Sequence, residues 1–204
     1  MTRITSLEEL RTIYRPPHEL AFKKQLDHLD QHCRRFIALS PFLTIASVGK
    51  DGLPDASPRG DQPGFVHVMD DNKALAIPDW PGNNRLDTLS NILAHTVVGL
   101  IFLIPGVDEV LRVNGDAELH ADEALRAPFA RSGKLPRLVI TVRVREAYLH
   151  CAKALMRAKL WDPAARITRS ELPTMNEMLR DQTSGTGPVE PQDAMVERYR
   201  TVLY

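Results

Sequence analysis

Long hydrophobic runs, an excess of one charge and paired cysteines are all missing from this chain of 204 residues. The longest apolar stretch, Val97–Pro105, falls far short of the ~20 residues needed to span a bilayer, so no membrane partner is expected. Lys and Arg number 26 and are matched by 26 Asp and Glu. A net charge of zero gives no reason to expect a nucleic-acid partner, since such binding rests on clustered positive charge. Cys33 and Cys151 form no CxxC pair and sit in no metal-ligand spacing, which predicts two buried, reduced thiols and no metal site. Residues 1–10 lack the apolar core of a secretory signal, so the expectation is a soluble, cytoplasmic protein.

What is present is ordinary globular composition, 43% hydrophobic and 25% charged. Ser6 followed by Leu-Glu-Glu-Leu signals a short capped helix, and His18–Leu39 carries apolar residues at near-helical spacing up to Ser40-Pro41. From Phe42 the pattern changes. Phe42–Val48, Phe65–Val68 and Ala74–Ile77 read as strands, separated by turns at Gly49–Gly52 and Asp70–Asn72. Asn84–His95 reads as a helix, then Val97–Ile104 as a strand buried on both faces. Glu109–His120 and Leu138–Tyr148 alternate as long strands, with a short helix at Asp122–Arg131 between them. The chain ends in helices, Cys151–Lys159 and Leu172–Arg180 among them, with a flexible Gly/Ser/Thr tract after Asp181. Strands this closely spaced form a meander, not βαβ units. The expected fold is α+β, mainly β: an antiparallel barrel of about six strands, with helices at both ends and one inserted after the fourth strand.

Three segments carry candidate chemistry. In Ile77-Pro-Asp-Trp-Pro-Gly-Asn-Asn-Arg, a strand runs through a Pro/Gly loop into a helix start, where unpaired N–H groups suit phosphate. Arg85 adds a bidentate donor, and Asn83 or Asn84 can cap the helix or donate an amide. On spacing alone, the plainer account is preferred: a capping asparagine, and an ion pair of Arg85 with Asp87 or Asp79. In Ser57-Pro-Arg-Gly-Asp, Arg59 ends a strand beside Gly60, where a backbone can approach a ligand. A surface arginine in a turn explains it as well. In His150-Cys-Ala-Lys-Ala-Leu-Met-Arg, Lys153 and Arg157 share a helix face, with Trp161 after another four residues; a solvated basic face with Trp161 in the core is the simpler account.

Taken in order, Ser57-Pro-Arg-Gly-Asp, Ile77-Pro-Asp-x-Pro-Gly-Asn-Asn-Arg, Gly99-Leu-Ile-Phe-Leu-Ile-Pro-Gly, Leu111-Arg-Val-Asn-Gly-Asp and His150-Cys-Ala-Lys-Ala resemble the pyridoxamine 5′-phosphate oxidase-related FMN-binding proteins, and within them a bacterial branch of FMN-dependent enzymes. The similarity runs from about Phe42 to Trp161. It implies a split β-barrel homodimer with FMN at the subunit interface. The barrel would occupy residues 41–161, with N-terminal helices packed on it in 1–40 and a helical tail in 162–204. Arg59 and Gly60 match the family's strand arginine and its neighbour. Asn84 and Arg85 match the Ser-Arg pair that opens its helix, with Asn83 before them and Ser90 a turn further on. Leu86 stands where the family has a lysine, so Lys153 becomes a replacement cation from the same chain or its partner. Pro78, Asp79 and Trp80 would run along the isoalloxazine edge, and Trp161 would cover the ring from the other subunit. The family's C-terminal Arg-x-His substrate pattern is absent, so no substrate and no catalytic residue follow; Tyr148, His67 and His150 are the nearby proton donors. The resemblance implies an FMN-dependent oxidoreductase acting on a small molecule. A non-catalytic carrier of flavin, deazaflavin or haem on the same fold is the alternative.

Overall fold

The computed structural model describes residues 3–69 and 71–204, so the Asp70 end of the expected Asp70–Asn72 turn, like Met1 and Thr2, lies outside the described residues. The first capped helix forms as α1 (Leu7–Ile13), with Ser6 accepting from the Glu9 N–H. The stretch read as one helix over His18–Leu39 divides into α2 (Leu20–Lys23) and α3 (Gln31–Leu39). Two local competitors divide it. Leu26 exchanges backbone hydrogen bonds with Ala147, at 3.0 and 2.7 Å, and Asp30 starts a new helix by accepting from the Cys33 N–H at 2.8 Å. Leu20 and Phe22 remain exposed, while Cys33, Phe36 and Ile37 enter the core.

Seven strands follow: β1 (Phe42–Val48), β2 (Pro54–Gly60), β3 (His67–Val68), β4 (Ala74–Asp79), β5 (Val97–Leu103), β6 (Val110–His120) and β7 (Leu138–His150). All their pairings are antiparallel, in the order β2-β1-β5-β6-β7-β4-β3, and the sheet does not close. This is a split barrel. β1 and β2 are joined by the Gly49–Gly52 turn, where Gly52 takes a φ of 78° that suits glycine. β2 carries Pro54 and Pro58, which an edge strand tolerates because one row of its N–H groups has no ladder partner. Leu43, Ile45, Leu75, Ile77, Leu100, Phe102, Val113, Ile140 and Val142 fill the interior.

β5 is buried on one face only. Val98, Leu100 and Phe102 point inward, while Val97 and Ile101 are 41% and 37% exposed. A continuous apolar run cannot distinguish a strand covered on both sides from one whose outer face has no cover within its own chain.

Helix α4 (Asp87–Ala94) follows β4 and packs on β1 and β6. The remaining helices are α5 (Glu123–Arg126), α6 (Lys153–Ala158), α7 (Met175–Thr183) and α8 (Gln192–Arg200). The helix expected at Asp122–Arg131 thus shortens to one turn and a 3-10 turn over Ala127–Phe129. In α8, Met195 is buried. Among the described residues, no helix is long and apolar enough to cross a membrane.

The two thiols differ. Cys33 is buried, and burial followed by the neighbouring Asp30 carboxylate pushes its pKa up to about 12. Cys151 is exposed, contrary to the expectation of two buried thiols, because it lies past the end of β7 where the chain leaves the sheet. A thiol reagent such as DTNB is therefore expected to titrate one cysteine in the native chain and the second only after unfolding; two fast-reacting native thiols would contradict this placement.

β6 and β7 are bulged between Asn114 and Gly115, and a Cβ at Gly115 would run into the Arg143 carbonyl. Gly115→Ala should cost about 3 kcal/mol, a fall in Tm on the order of 10 °C. A Tm within about 2 °C of the native value would show that the bulge has room to yield.

Candidate functional site

The end of β2, the end of β4 and the loop into α4 surround a cleft of about 490 Å³, with Phe65 and Arg137 completing its wall. That volume is within the range of cavities that hold cofactor-sized ligands. Its position follows from the sheet order. β2 is first and β4 sixth, so curvature of the open sheet brings their two ends face to face.

Arg59 and Asp79 meet across this gap. The Arg59 Nη2 lies 3.6 Å from the Asp79 Oδ1, and the two side chains are 19% and 16% exposed. Arg59 also donates through Nη1 to the Ser57 hydroxyl at 2.7 Å and to the Pro58 carbonyl at 2.9 Å. Its Nε is buried and has no acceptor. An unanswered donor of this kind is costly unless something else satisfies it. Burial raises the Asp79 pKa above the usual carboxylate range, and the Arg59 charge pulls it partly back.

The loop into α4 is built differently from a plain helix start. Asn84 and Leu86 both adopt left-handed backbone, with φ of 59° and 60°, and Leu86 takes the N-cap position with no side-chain cap. The cause is local: the Asn83 side chain accepts from the Arg85 N–H at 3.0 Å, forming a turn that competes with the helix. The helix therefore begins at Asp87, and Asn84 does not cap it. Arg85 donates from Nε to Asp87 at 2.8 Å and is largely exposed, with its pKa raised by that hydrogen bond. The surface ion pair anticipated for Arg85 on spacing alone is thus present.

Of the residues singled out from the sequence, Arg59, Gly60, Pro78, Asp79, Trp80, Asn83, Asn84 and Arg85 line the cleft together. Ser90, Lys153 and Trp161 do not line it. Ser90 is exposed on the second turn of α4. Lys153 opens α6 on the surface, and Trp161 donates its indole N–H to the Val107 carbonyl at 2.9 Å, beside the β5–β6 turn. Among the nearby proton donors, His67 stacks on Phe129 with ring centroids 4.1 Å apart, and burial lowers its pKa. Tyr148 lies beneath the cations of Lys24 and Arg112, and His150 is exposed. None of the three lines the cleft.

Arg137 joins the site from outside the three sequence segments. Its N–H donates to the Asp79 carbonyl at 3.0 Å, which sets its side chain at the cleft wall. Among the described residues, its guanidinium forms no ion pair, whereas Arg59 and Arg85 each have a carboxylate. The cleft therefore holds three arginines (Arg59, Arg85, Arg137) and three aspartates (Asp55, Asp79, Asp87). Only the register of β4 against β7 brings Arg137 here, and no local motif announces it.

Residues 29–151 match the family described as Pyridoxamine 5′-phosphate oxidase. No curated protein matches the chain. Among solved structures, a point variant of HupZ from Group A Streptococcus superposes with a TM-score of 0.50 at 18% identity, covering 60% of this chain and 99% of that one. A Clostridium acetobutylicum protein related to general stress protein 26, of the pyridoxinephosphate oxidase family, gives 0.44 at 12% identity, covering 58% and 85%. The conserved hypothetical protein Rv2991 of Mycobacterium tuberculosis gives 0.44 at 14%, covering 72% and 97%. At 18% identity the HupZ superposition speaks to the fold alone. The family match spans well over half of the chain and coincides with the seven-stranded split barrel, so this chain belongs to the pyridoxamine 5′-phosphate oxidase family.

Proposed function

We propose that the cleft binds FMN and that the protein is an FMN-dependent oxidoreductase acting on a small molecule. The observation that carries this reading is the Arg59 side chain: held in place by Ser57 and Pro58, it keeps a buried Nε without an acceptor at the cleft wall. A phosphate oxygen is a suitable acceptor for that N–H, and charge-assisted bonds of this kind are among the strongest available. Arg85 and the exposed amides of Asn83 and Asn84 would complete the phosphate side. Arg137 takes the role of the cation that Leu86 cannot supply. Pro78, Asp79 and Trp80 would face the ring system. The bound flavin would supply hydride chemistry, while these residues bind it, orient it and exclude water.

The protein would act as a homodimer with the flavin at the interface. Val97 and Ile101 leave an apolar strip on the outer face of β5, which a second copy would cover. Lys153 and Trp161 do not line the cleft of their own chain, so any role there would belong to the partner's cleft.

Absorption by the purified protein is the first check: bands of oxidised flavin support the reading, and a Soret band points instead to a haem carrier. Arg59→Ala and Arg137→Ala are each expected to weaken FMN by roughly 10- to 100-fold, the effect of losing a hydrogen bond to a charged group. Riboflavin, which lacks the phosphate, should bind both variants within about twofold of the native chain. Equal losses for FMN and riboflavin would place the phosphate elsewhere.

Ile101→Asp should shift the protein from dimer to monomer in light scattering at micromolar concentration, and flavin affinity should fall with it. A native chain that is monomeric while saturated with FMN would remove the interface from this account.

A further inference from the structure

The C-terminal tail is attached beside the cleft through one residue, Tyr204. Thr201, Val202 and Leu203 are exposed, whereas Tyr204 makes three separate attachments. Its hydroxyl donates to Asp61 Oδ1 at 2.7 Å. Its ring meets the Trp80 indole edge-on, with centroids 5.0 Å apart and planes at 79°. Its carbonyl accepts from the Lys134 Nζ at 2.7 Å.

The partners of Tyr204 adjoin the cleft. Asp61 follows Gly60 at the end of β2, Trp80 follows Asp79 at the end of β4, and Lys134 lies just ahead of Arg137. Gly60, Asp79, Trp80 and Arg137 all line the cleft.

Two polar groups in this cluster are not fully answered. The Asp61 side chain is only 3% exposed, and its Oδ2 has no hydrogen bond, only the Arg131 Nε at 3.7 Å. Its Oδ1 accepts from the Gln62 N–H at 2.6 Å as well as from Tyr204. A buried carboxylate this short of donors depends on the phenol, which in turn holds the tail. Hydrogen bonding to the Asp61 carboxylate also raises the Tyr204 pKa, so the phenol stays protonated and able to donate through the neutral range. The buried Trp80 Nε1 has no acceptor either, so nothing among the described residues fixes the indole by hydrogen bonding. The Tyr204 ring meets that indole edge-on and limits how far it can turn.

We infer that Tyr204 is a positioning residue for the cleft, holding the Trp80 indole in the arrangement that receives the ligand's ring. The inference rests on the flavin reading for the identity of that ligand. Coupling between the two sites is reciprocal: if the seated tail favours ligand binding, bound ligand holds residues 201–204 down.

The test uses the full chain. Tyr204→Ala should weaken FMN and riboflavin by the same factor, about fivefold, because the substitution acts on the ring side of the ligand. Arg59→Ala, acting on the phosphate, should weaken FMN alone. Saturating FMN should slow trypsin cleavage after Arg200 in the native chain and leave it unchanged in Tyr204→Ala. With no flavin present, and in a Trp161→Phe parent so that Trp80 is the single tryptophan, Tyr204→Ala should move the emission to longer wavelength. Tyr204→Phe keeps the ring and should restore the emission while leaving the tail more easily cleaved. Flavin affinities within about twofold of native in Tyr204→Ala would overturn the positioning role, and so would unchanged Trp80 emission. If the native chain binds neither flavin, the proposed function fails by itself, and the emission of the flavin-free variants alone then decides whether Tyr204 holds Trp80.

Discussion

An open sheet that curls must hold its two ends at a fixed separation, and here the contact between Arg59 and Asp79 spans that gap. The residues belong to strands in the first and sixth places of a seven-strand order, so no ladder hydrogen bond joins them. Partly buried ion pairs add little net stability, because desolvation offsets the attraction. The raised pKa of Asp79 is the local sign of that offset. What the pair supplies is position. Arg59 is also held by Ser57 and Pro58, so the cleft opens around a cation already in place. The loop into α4, the Arg137 wall and the tail contact on Trp80 all take their geometry from these two strand ends.

Much of this is legible from the chain itself. The alternation in Leu43 and Ile45, the Gly49–Gly52 turn and the order of strand, Pro/Gly loop and helix after Ile77 are local signals, and the barrel is built from them. The failures are places where a distant segment decides. Leu26 leaves the helical path to pair with Ala147, a partner no local pattern reveals. The outer face of β5 reads as buried because Val97 and Ile101 are apolar, although their own chain does not cover them. At the cleft, Arg59 and Arg85 stand in recognisable motifs, but Arg137 arrives through strand register and Tyr204 through the path of the tail. The start of α4 departs from its expected place for a nearer reason. The Asn83 side chain supplies the Arg85 N–H with an acceptor before the helix can, and the chain passes through left-handed backbone at Asn84 and Leu86.

Charge alone cannot be what selects a ligand here. With three arginines set against three aspartates, the cleft has no net attraction for an anion at long range. Two of the arginines already face carboxylates, so a phosphate entering the cleft would have to compete with Asp79 and Asp87 for them. It would gain most from the buried Nε of Arg59, which has no acceptor, and from the guanidinium of Arg137, which forms no ion pair among the described residues. Discrimination then depends on whether a ligand can reach those donors while its remaining surface lies against Phe65, Trp80 and Leu89. A bare phosphate satisfies the first condition and leaves the apolar wall wet. An unphosphorylated ring satisfies the second and leaves the Nε orphaned. A planar heteroaromatic that carries a terminal phosphate meets both conditions, and the indole it would lie against is the side chain that Tyr204 contacts from the tail.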